Sequence, residues 1–180
     1  FCYNQVFNKR RWRGWSAERT LEEIKKITTL TSNLRLKFYD DNFGANRKRL
    51  DAILNGLDKR HDLWIELIID SIDESLLENL SLFKSTWIFL GVESGDERIL
   101  KKMSKNLTVD MIREKFELIK RYKNLETTGS IVIGCPGETK KEILTSVKFL
   151  EELSPTRQGI CIFAPFPGTE FYQEAVTLGL

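Results

Sequence analysis

Cysteine, histidine and long apolar runs are all scarce in this sequence of 180 residues. Only three cysteines occur, Cys2, Cys135 and Cys161, and their wide, irregular spacing resembles neither a secreted disulfide framework nor a complete zinc site. No apolar run approaches the ~20 residues of a membrane-spanning helix. We therefore expect a protein of the reducing cytoplasm rather than a secreted or membrane protein.

Net charge is also small. Lys and Arg number 28 against 26 Asp and Glu, so the net charge of +2 creates no strong field to attract nucleic acid or acidic membrane. The run Lys-Arg-Arg-Trp-Arg-Gly-Trp at 9–15 interleaves basic and aromatic residues, a pattern that can bind RNA phosphates and stack on bases. With so little net charge, we favour a solvated loop whose tryptophans pack under a first strand that is missing from this sequence, and we expect no nucleic-acid partner.

Short apolar runs alternate with amphipathic stretches of helix length. We predict strands over residues 34–39, 63–69, 87–91, 129–133 and 159–164. Helices are predicted over 16–30, 46–57, 73–82, 96–103, 140–153 and 170–178, with a longer one after Thr108. This order predicts an α/β fold with parallel strands, a partial (β/α)6 TIM-like barrel whose first strand is missing. A doubly wound open sheet is the alternative.

Carboxylates and glycines follow most of the predicted strands. The strand ends read Asp40-Asp41, then Asp70, then the runs at 91–95, 134–139 and 165–170. Because the carboxyl ends of parallel strands share one rim, we expect a polar ligand to bind there. His61 lies among charged residues before a strand, so we expect an exposed side chain.

Four motifs together resemble the core of the radical S-adenosylmethionine (SAM) superfamily. They are Phe-Cys-Tyr-Asn at 1–4, Gly-Val-Glu-Ser-Gly at 91–95 with Ile-Leu-Lys-Lys-Met-Ser-Lys at 99–105, Gly-Cys-Pro-Gly-Glu-Thr at 134–139, and Pro-Phe-Pro-Gly-Thr-Glu-Phe-Tyr at 165–172. They are similar to the branch with cobalamin-associated methyltransferases, methylthiotransferases and coproporphyrinogen oxidases. The resemblance covers residues 1–180 as one core domain.

The resemblance implies a four-iron four-sulfur cluster on a C-x-x-x-C-x-x-C loop. Cys2 would be the third cysteine of that loop, and Phe1 would occupy the aromatic position beside the adenine of SAM. The chain opens without Met, so we expect that a preceding segment with the other two cysteines is absent. Cys135 and Cys161 cannot replace them and are expected to pack in or near the barrel wall. We therefore expect this chain alone to be inactive.

The resemblance also implies SAM contacts at the strand ends. Asp41, with Asp40, would accept hydrogen bonds from the SAM amine, and Glu93, with Ser94, would contact the ribose or methionyl part. Ile133 and the turn beginning at Gly134 would line the adenine through backbone contacts. Relatives commonly carry Arg-Val-Asp at the end of the third strand of the barrel, where this chain has Ile-Ile-Asp at 68–70. An arginine contact is therefore missing or supplied elsewhere.

Each of these motifs also has a local structural explanation. Asp40 and Asp41 could form a turn, Glu93 could support the helix that begins near Asp96, and the 134–139 run could be a turn and helix cap.

The activity implied by the resemblance is reductive cleavage of SAM to a 5′-deoxyadenosyl radical that acts on a small-molecule or unknown substrate. The electron donor would be a flavodoxin or ferredoxin, and cobalamin would enter through an upstream domain. A tRNA methylthiotransferase-like enzyme and a non-catalytic SAM-binding or scaffold remnant are the alternatives.

Overall fold

Strands and helices alternate along the chain in this computed structural model, which describes residues 4–9, 11–29 and 34–179. The strands are β1 Arg35–Lys37, β2 Asp62–Leu67, β3 Ser85–Glu93, β4 Leu125–Ile133 and β5 Arg157–Ile162. The helices are α1 Asn4–Phe7, α2 Ala17–Thr28, α3 Arg47–Gly56, α4 Glu74–Ser81, α5 Glu97–Lys102, α6 Val109–Ile119, α7 Lys140–Leu153 and α8 Glu170–Thr177. Within these residues, no helix is both long and apolar enough to cross a bilayer.

The five strands form one parallel sheet in the order β1-β2-β3-β4-β5. Each strand lies beside its predecessor, so every crossover advances in the same direction around the sheet. A doubly wound sheet instead reverses direction at a switch point. The partial barrel is therefore confirmed, and the doubly wound alternative is wrong.

Side-chain caps explain where the helices begin. Seven residues directly before a helix each accept a hydrogen bond from a backbone N–H two or three residues further on. The capping residues are Ser16, Asn46, Asp73, Asp96, Thr108, Thr139 and Thr169. Thr139 and Glu142 cap each other reciprocally, which makes the start of α7 well defined.

The two faces of the sheet have different roles. Along β2, Leu63, Ile65 and Leu67 are buried in the main hydrophobic core, whereas Trp64 and Glu66 point to the other, half-buried face. The same alternation continues through β3. This second face is the concave interior of the partial barrel, and its upper edge is the rim formed by the strands' carboxyl ends.

His61 contradicts the expectation of an exposed side chain. It is only 5% exposed, and its Nδ1 accepts a hydrogen bond of 3.2 Å from the backbone N–H of Leu34. The physical reason is that Leu34 lies just before β1, where its N–H has no ladder partner and needs another acceptor. His61 therefore joins the starts of β1 and β2, at the end of the sheet opposite the rim.

Candidate functional site

A cavity of about 300 Å³, the rim cavity, opens where β1, β2 and β3 end. Charged residues from all three strand ends and from the loop after α5 line it, namely Asp41, Glu66, Asp70, Glu93 and Lys105. Two residues predicted from the sequence, Asp41 after β1 and Glu93 at the end of β3, therefore share one cavity. The rim cavity is the candidate site.

Glu93 reaches the cavity through an unusual backbone conformation. Its φ is +66°, in the left-handed region that costs a residue with a side chain about 1 kcal/mol, and the pairing of β3 with β4 shifts register between Gly91 and Glu93. The carboxylate lies over the face of Gly91, where an added Cβ would come within 2.5 Å of Oε1. Gly91 therefore leaves the space that the Glu93 carboxylate occupies.

Lys105 provides a cation that the sequence analysis missed. Its Nζ lies 2.8 Å from Oε1 of Glu93, and both side chains are largely buried. Ile68, the first residue of the run where the resemblance implied an arginine, is 41% exposed and also lines the cavity. Among the described residues that line the cavity, Lys105 is therefore the one with a positively charged side chain. It is the last residue of the run at 99–105 that the sequence analysis quoted, but nothing in that run indicated a contact with Glu93.

Glu66 was also missed, although its position carries a signal. It is a carboxylate on the concave face of a strand whose alternate residues are apolar. Burial raises the pKa of Glu66, the nearby charge of Asp41 raises it further, and Lys37 opposes this effect. A cation bound between Glu66 and Asp41 would relieve that repulsion.

The two adjacent aspartates after β1 have different surroundings. Asp40 is held by Arg49, whose Nη1 lies 3.3 Å from Oδ1. Asp41 is more exposed and accepts a 2.7 Å hydrogen bond from the side-chain amide of Asn4. Asp41 lines the rim cavity and Asp40 does not, so Asp41 is the more direct candidate for binding a ligand there.

Ser94 is buried, with hydroxyl partners inside the protein. Its Oγ lies 2.9 Å from Oγ of Ser146 on α7 and accepts a hydrogen bond from the N–H of Asp96. Ser146 also accepts from the N–H of Gly95. In this arrangement Ser94 holds the turn that follows Glu93. A direct contact between Ser94 and a ligand stays a prediction.

Ile133 and Gly134 lie at the end of β4, outside the lining of the rim cavity. The carbonyl of Ile133 accepts from the N–H of Phe163, and the N–H of Gly134 donates to Oε2 of Glu138 over 2.6 Å. Gly134 has a φ of +85°, which favours glycine at the first position of this turn. Their contact with adenine stays a prediction.

Two basic residues of α5 hold the turn after β4. Arg98 donates to the carbonyl of Gly137 and to both carboxylate oxygens of Glu142, and Lys102 donates to the carbonyl of Pro136. Beneath the turn, a small apolar cluster joins α5, α8 and the turn itself, and its buried members are Ile99, Met103, Cys135 and Phe171. These hydrogen bonds and apolar contacts hold the turn in place at the rim.

The described residues do not provide an iron–sulfur cluster site. Phe1 and Cys2, the predicted adenine and cluster contacts, lie outside the described residues. Among those that are described, no group of three or more His, Cys, Asp or Glu side chains could hold a metal ion. Cys135 is buried as expected, whereas Cys161 is exposed on β5, so the expectation that both are packed holds only for Cys135.

Comparison with known proteins identifies the class. Residues 1–150 match the Radical SAM superfamily, so the chain belongs to that superfamily of enzymes. A curated protein of Pyrococcus horikoshii, described as an uncharacterized methyltransferase, is 28% identical over 183 residues. The match covers all of this chain and 40% of that protein, so the chain spans less than half the length of this relative.

Solved structures share the fold at low identity. The radical SAM methyltransferase TsrM from Kitasatospora setae, solved with cobalamin and a [4Fe-4S] cluster, superposes with a TM-score of 0.76 at 17% identity and covers 91% of this chain and 34% of its own. Coproporphyrinogen III oxidase from Escherichia coli gives a TM-score of 0.67 at 14% identity, covering 90% of this chain and 45% of its own. These likenesses support the partial radical SAM barrel.

Proposed function

We propose that the rim cavity binds SAM and that the chain is the SAM-binding core of a radical SAM enzyme. The observation that carries this proposal is that Asp41 and Glu93, predicted from the sequence at the ends of two different strands, line the same cavity. The cavity is lined by carboxylates and by one lysine, which can pair with the ammonium and the carboxylate of the methionyl part of SAM.

In this proposal, different residues of the cavity contact different groups of SAM. Asp41 and Glu66 accept from the ammonium group, which offsets the effects of burial and of the Asp41 charge that raise the pKa of Glu66. Lys105 pairs with the SAM carboxylate, in the role for which relatives use an arginine. Glu93 accepts from the ribose hydroxyls, since its carboxylate is already held over the cavity. The turn from Gly134 to Glu138 meets the adenine through its backbone.

The cluster belongs to the segment around Cys2 in this proposal. When bound there by three thiolates, it would supply the electron for reductive cleavage of SAM. The described residues contribute the cavity and its charges, and they do not supply the three thiolates. We propose methyl transfer as the reaction class, because the curated relative that matches the entire chain is described as a methyltransferase.

Binding of S-adenosylhomocysteine, followed by calorimetry, tests the SAM site without requiring the cluster. Asp41→Asn and Glu93→Gln should each weaken binding about tenfold, since each removes a charge-assisted hydrogen bond. Asp58→Asn is the matched control, because Asp58 pairs with Arg60 at the opposite end of the sheet. Equal affinity for all four proteins would reject the rim cavity as the site.

Anaerobic reconstitution with iron and sulfide tests the cluster separately. The full-length protein should take up four irons per chain in the family's pattern, and Cys2→Ala should lose that uptake while Cys161→Ala keeps it. Uptake that survives Cys2→Ala would contradict the assignment. A full-length protein that binds S-adenosylhomocysteine and takes up no iron would be a non-catalytic remnant.

A further inference from the structure

A second cavity, the basic-aromatic cavity, lies on the other side of Asp41 and encloses about 790 Å³. One wall is the segment 11–15, part of the basic and aromatic run interpreted from the sequence as a solvated loop. Trp12 is 45% exposed and Trp15 52% exposed, and both line the cavity.

Arg49 fixes the shape of this wall. Its side chain is only 10% exposed, its Nε donates to the carbonyl of Trp15 over 2.7 Å, and its guanidinium lies 5.6 Å from the ring centre of Trp12. The Trp12 ring also covers Gly14, where an added Cβ would lie 2.6 Å from the ring. The segment is thus held by a buried cation and a close ring contact.

The lining combines positive charge with aromatic faces. Its charged members are four cations and two carboxylates, Arg11, Arg13, Lys37, Arg49, Asp40 and Asp41. Asp40 is already paired with Arg49. This one cavity therefore has a net positive lining, although the entire chain carries only +2. The exposed aromatic members are Trp12, Trp15 and Tyr39.

We propose that the basic-aromatic cavity binds a nucleotide unit, with the base stacked on Trp12 or Trp15 and the phosphate held by Arg11 and Arg13. Guanidinium groups match phosphate geometry, and every base has a face that can stack on an indole. An acidic peptide would use the cations and leave the aromatic faces unused. The cavity's volume falls within the ~300–1,000 Å³ of small-ligand sites. This inference goes beyond the proposed function and does not depend on it.

The probes are uridine monophosphate and an oligouridylate, which separate a free nucleotide from a unit of single-stranded RNA. Quenching of tryptophan fluorescence is measured with saturating S-adenosylhomocysteine present, so that the rim cavity is filled. Saturable binding of the mononucleotide would identify a free nucleotide as the ligand, and binding of the oligomer alone would identify RNA. Both outcomes support the inference.

Two sets of variants locate the site. Trp15→Leu should weaken oligouridylate binding about tenfold by removing a stacking face, read by anisotropy of a labelled oligomer. The double variant Arg11→Ser and Arg13→Ser should lower the slope of log K against log salt by about 1.4, as expected for two lost phosphate contacts. Lys140→Ser with Lys141→Ser is the matched control, since it removes the same charge from the exposed start of α7.

Three results would overturn the inference. The first is equal loss of binding in the two double variants, which would mean diffuse attraction of a polyanion. The second is equal affinity for polyphosphate or polyglutamate, which lack bases. The third is nucleotide binding that is seen without S-adenosylhomocysteine and is lost in its saturating presence, which would place the nucleotide in the rim cavity. Circular dichroism checks that each variant is folded, and Trp15→Phe, which keeps a stacking face, should retain most of the affinity.

Discussion

The ammonium of Lys105 lies 2.8 Å from the carboxylate of Glu93, which is folded back over the bare face of Gly91. A loop, a bulge in β3 and a glycine therefore cooperate to hold one carboxylate at the rim. Any change that moves this carboxylate should alter the binding of SAM before it alters the fold.

Gly91→Ala tests this arrangement. The new methyl group would meet Oε1 of Glu93 at 2.5 Å, so the carboxylate must move away from the cavity. We expect about tenfold weaker binding of S-adenosylhomocysteine by calorimetry, the size of one lost charge-assisted hydrogen bond. Gly159→Ala is the control, because its nearest contact would be Oγ of Ser130 at an ordinary 3.4 Å. Unchanged affinity in Gly91→Ala would show that Glu93 does not contact the ligand.

Ser146→Ala should destabilise the turn that carries Glu93. The Ser146 hydroxyl is paired with Ser94 and accepts from the N–H of Gly95, so its removal leaves buried polar groups without a partner. We expect a loss of about 1–3 kcal/mol in the free energy of unfolding, measured by chemical denaturation. Thr145→Ala, on the exposed face of the same helix, should change it by less than half of that. Equal losses would contradict a special role for Ser146.

The Arg98–Glu142 pair should make the stability depend on pH. The hydrogen bonds from Arg98, and then those from the N–H and hydroxyl of Thr139, lower the pKa of Glu142 from 4.5 to about 2. A lowered carboxylate pKa stabilises the folded state above the unfolded value, and this contribution is lost as the pH falls from about 4.5 to about 2.

The difference in unfolding free energy between the native protein and Glu142→Gln should therefore be constant above about pH 5 and should shrink below it. Denaturation with urea at several pH values measures this difference. Glu117→Gln, which removes a carboxylate from an exposed pair with Lys120, serves as the control. A difference that does not change with pH would show that Arg98 does not hold Glu142 in solution.

The two described cysteines should differ in reactivity. Burial, with a further contribution from the charge of Glu138, raises the pKa of Cys135 to about 12, so at pH 8 this thiol is almost entirely protonated. Cys161 is exposed. Iodoacetamide should therefore modify Cys161 in the folded protein and leave Cys135 unmodified until a denaturant is added, as peptide mass spectrometry would show. Rapid modification of Cys135 in the folded protein would contradict its burial.

The sequence alone determined the order of strands and helices, the helix starts and the location of polar residues at the strand ends. These features depend on the periodicity of apolar residues and on caps such as Thr139 and Asp73, which act within a few residues of chain. The strand ends also identified Asp41 and Glu93 as candidates, because the rim of a parallel sheet follows from topology.

Only the tertiary structure decided how distant parts of the chain meet. It placed Lys105 against Glu93, buried Ser94 against Ser146 at a separation of 52 residues, and buried His61 against Leu34. It also turned the segment 11–15 into the wall of a cavity. Such contacts depend on where each crossover returns the chain and which side chains then share a desolvated space, and no local pattern of residues encodes that outcome.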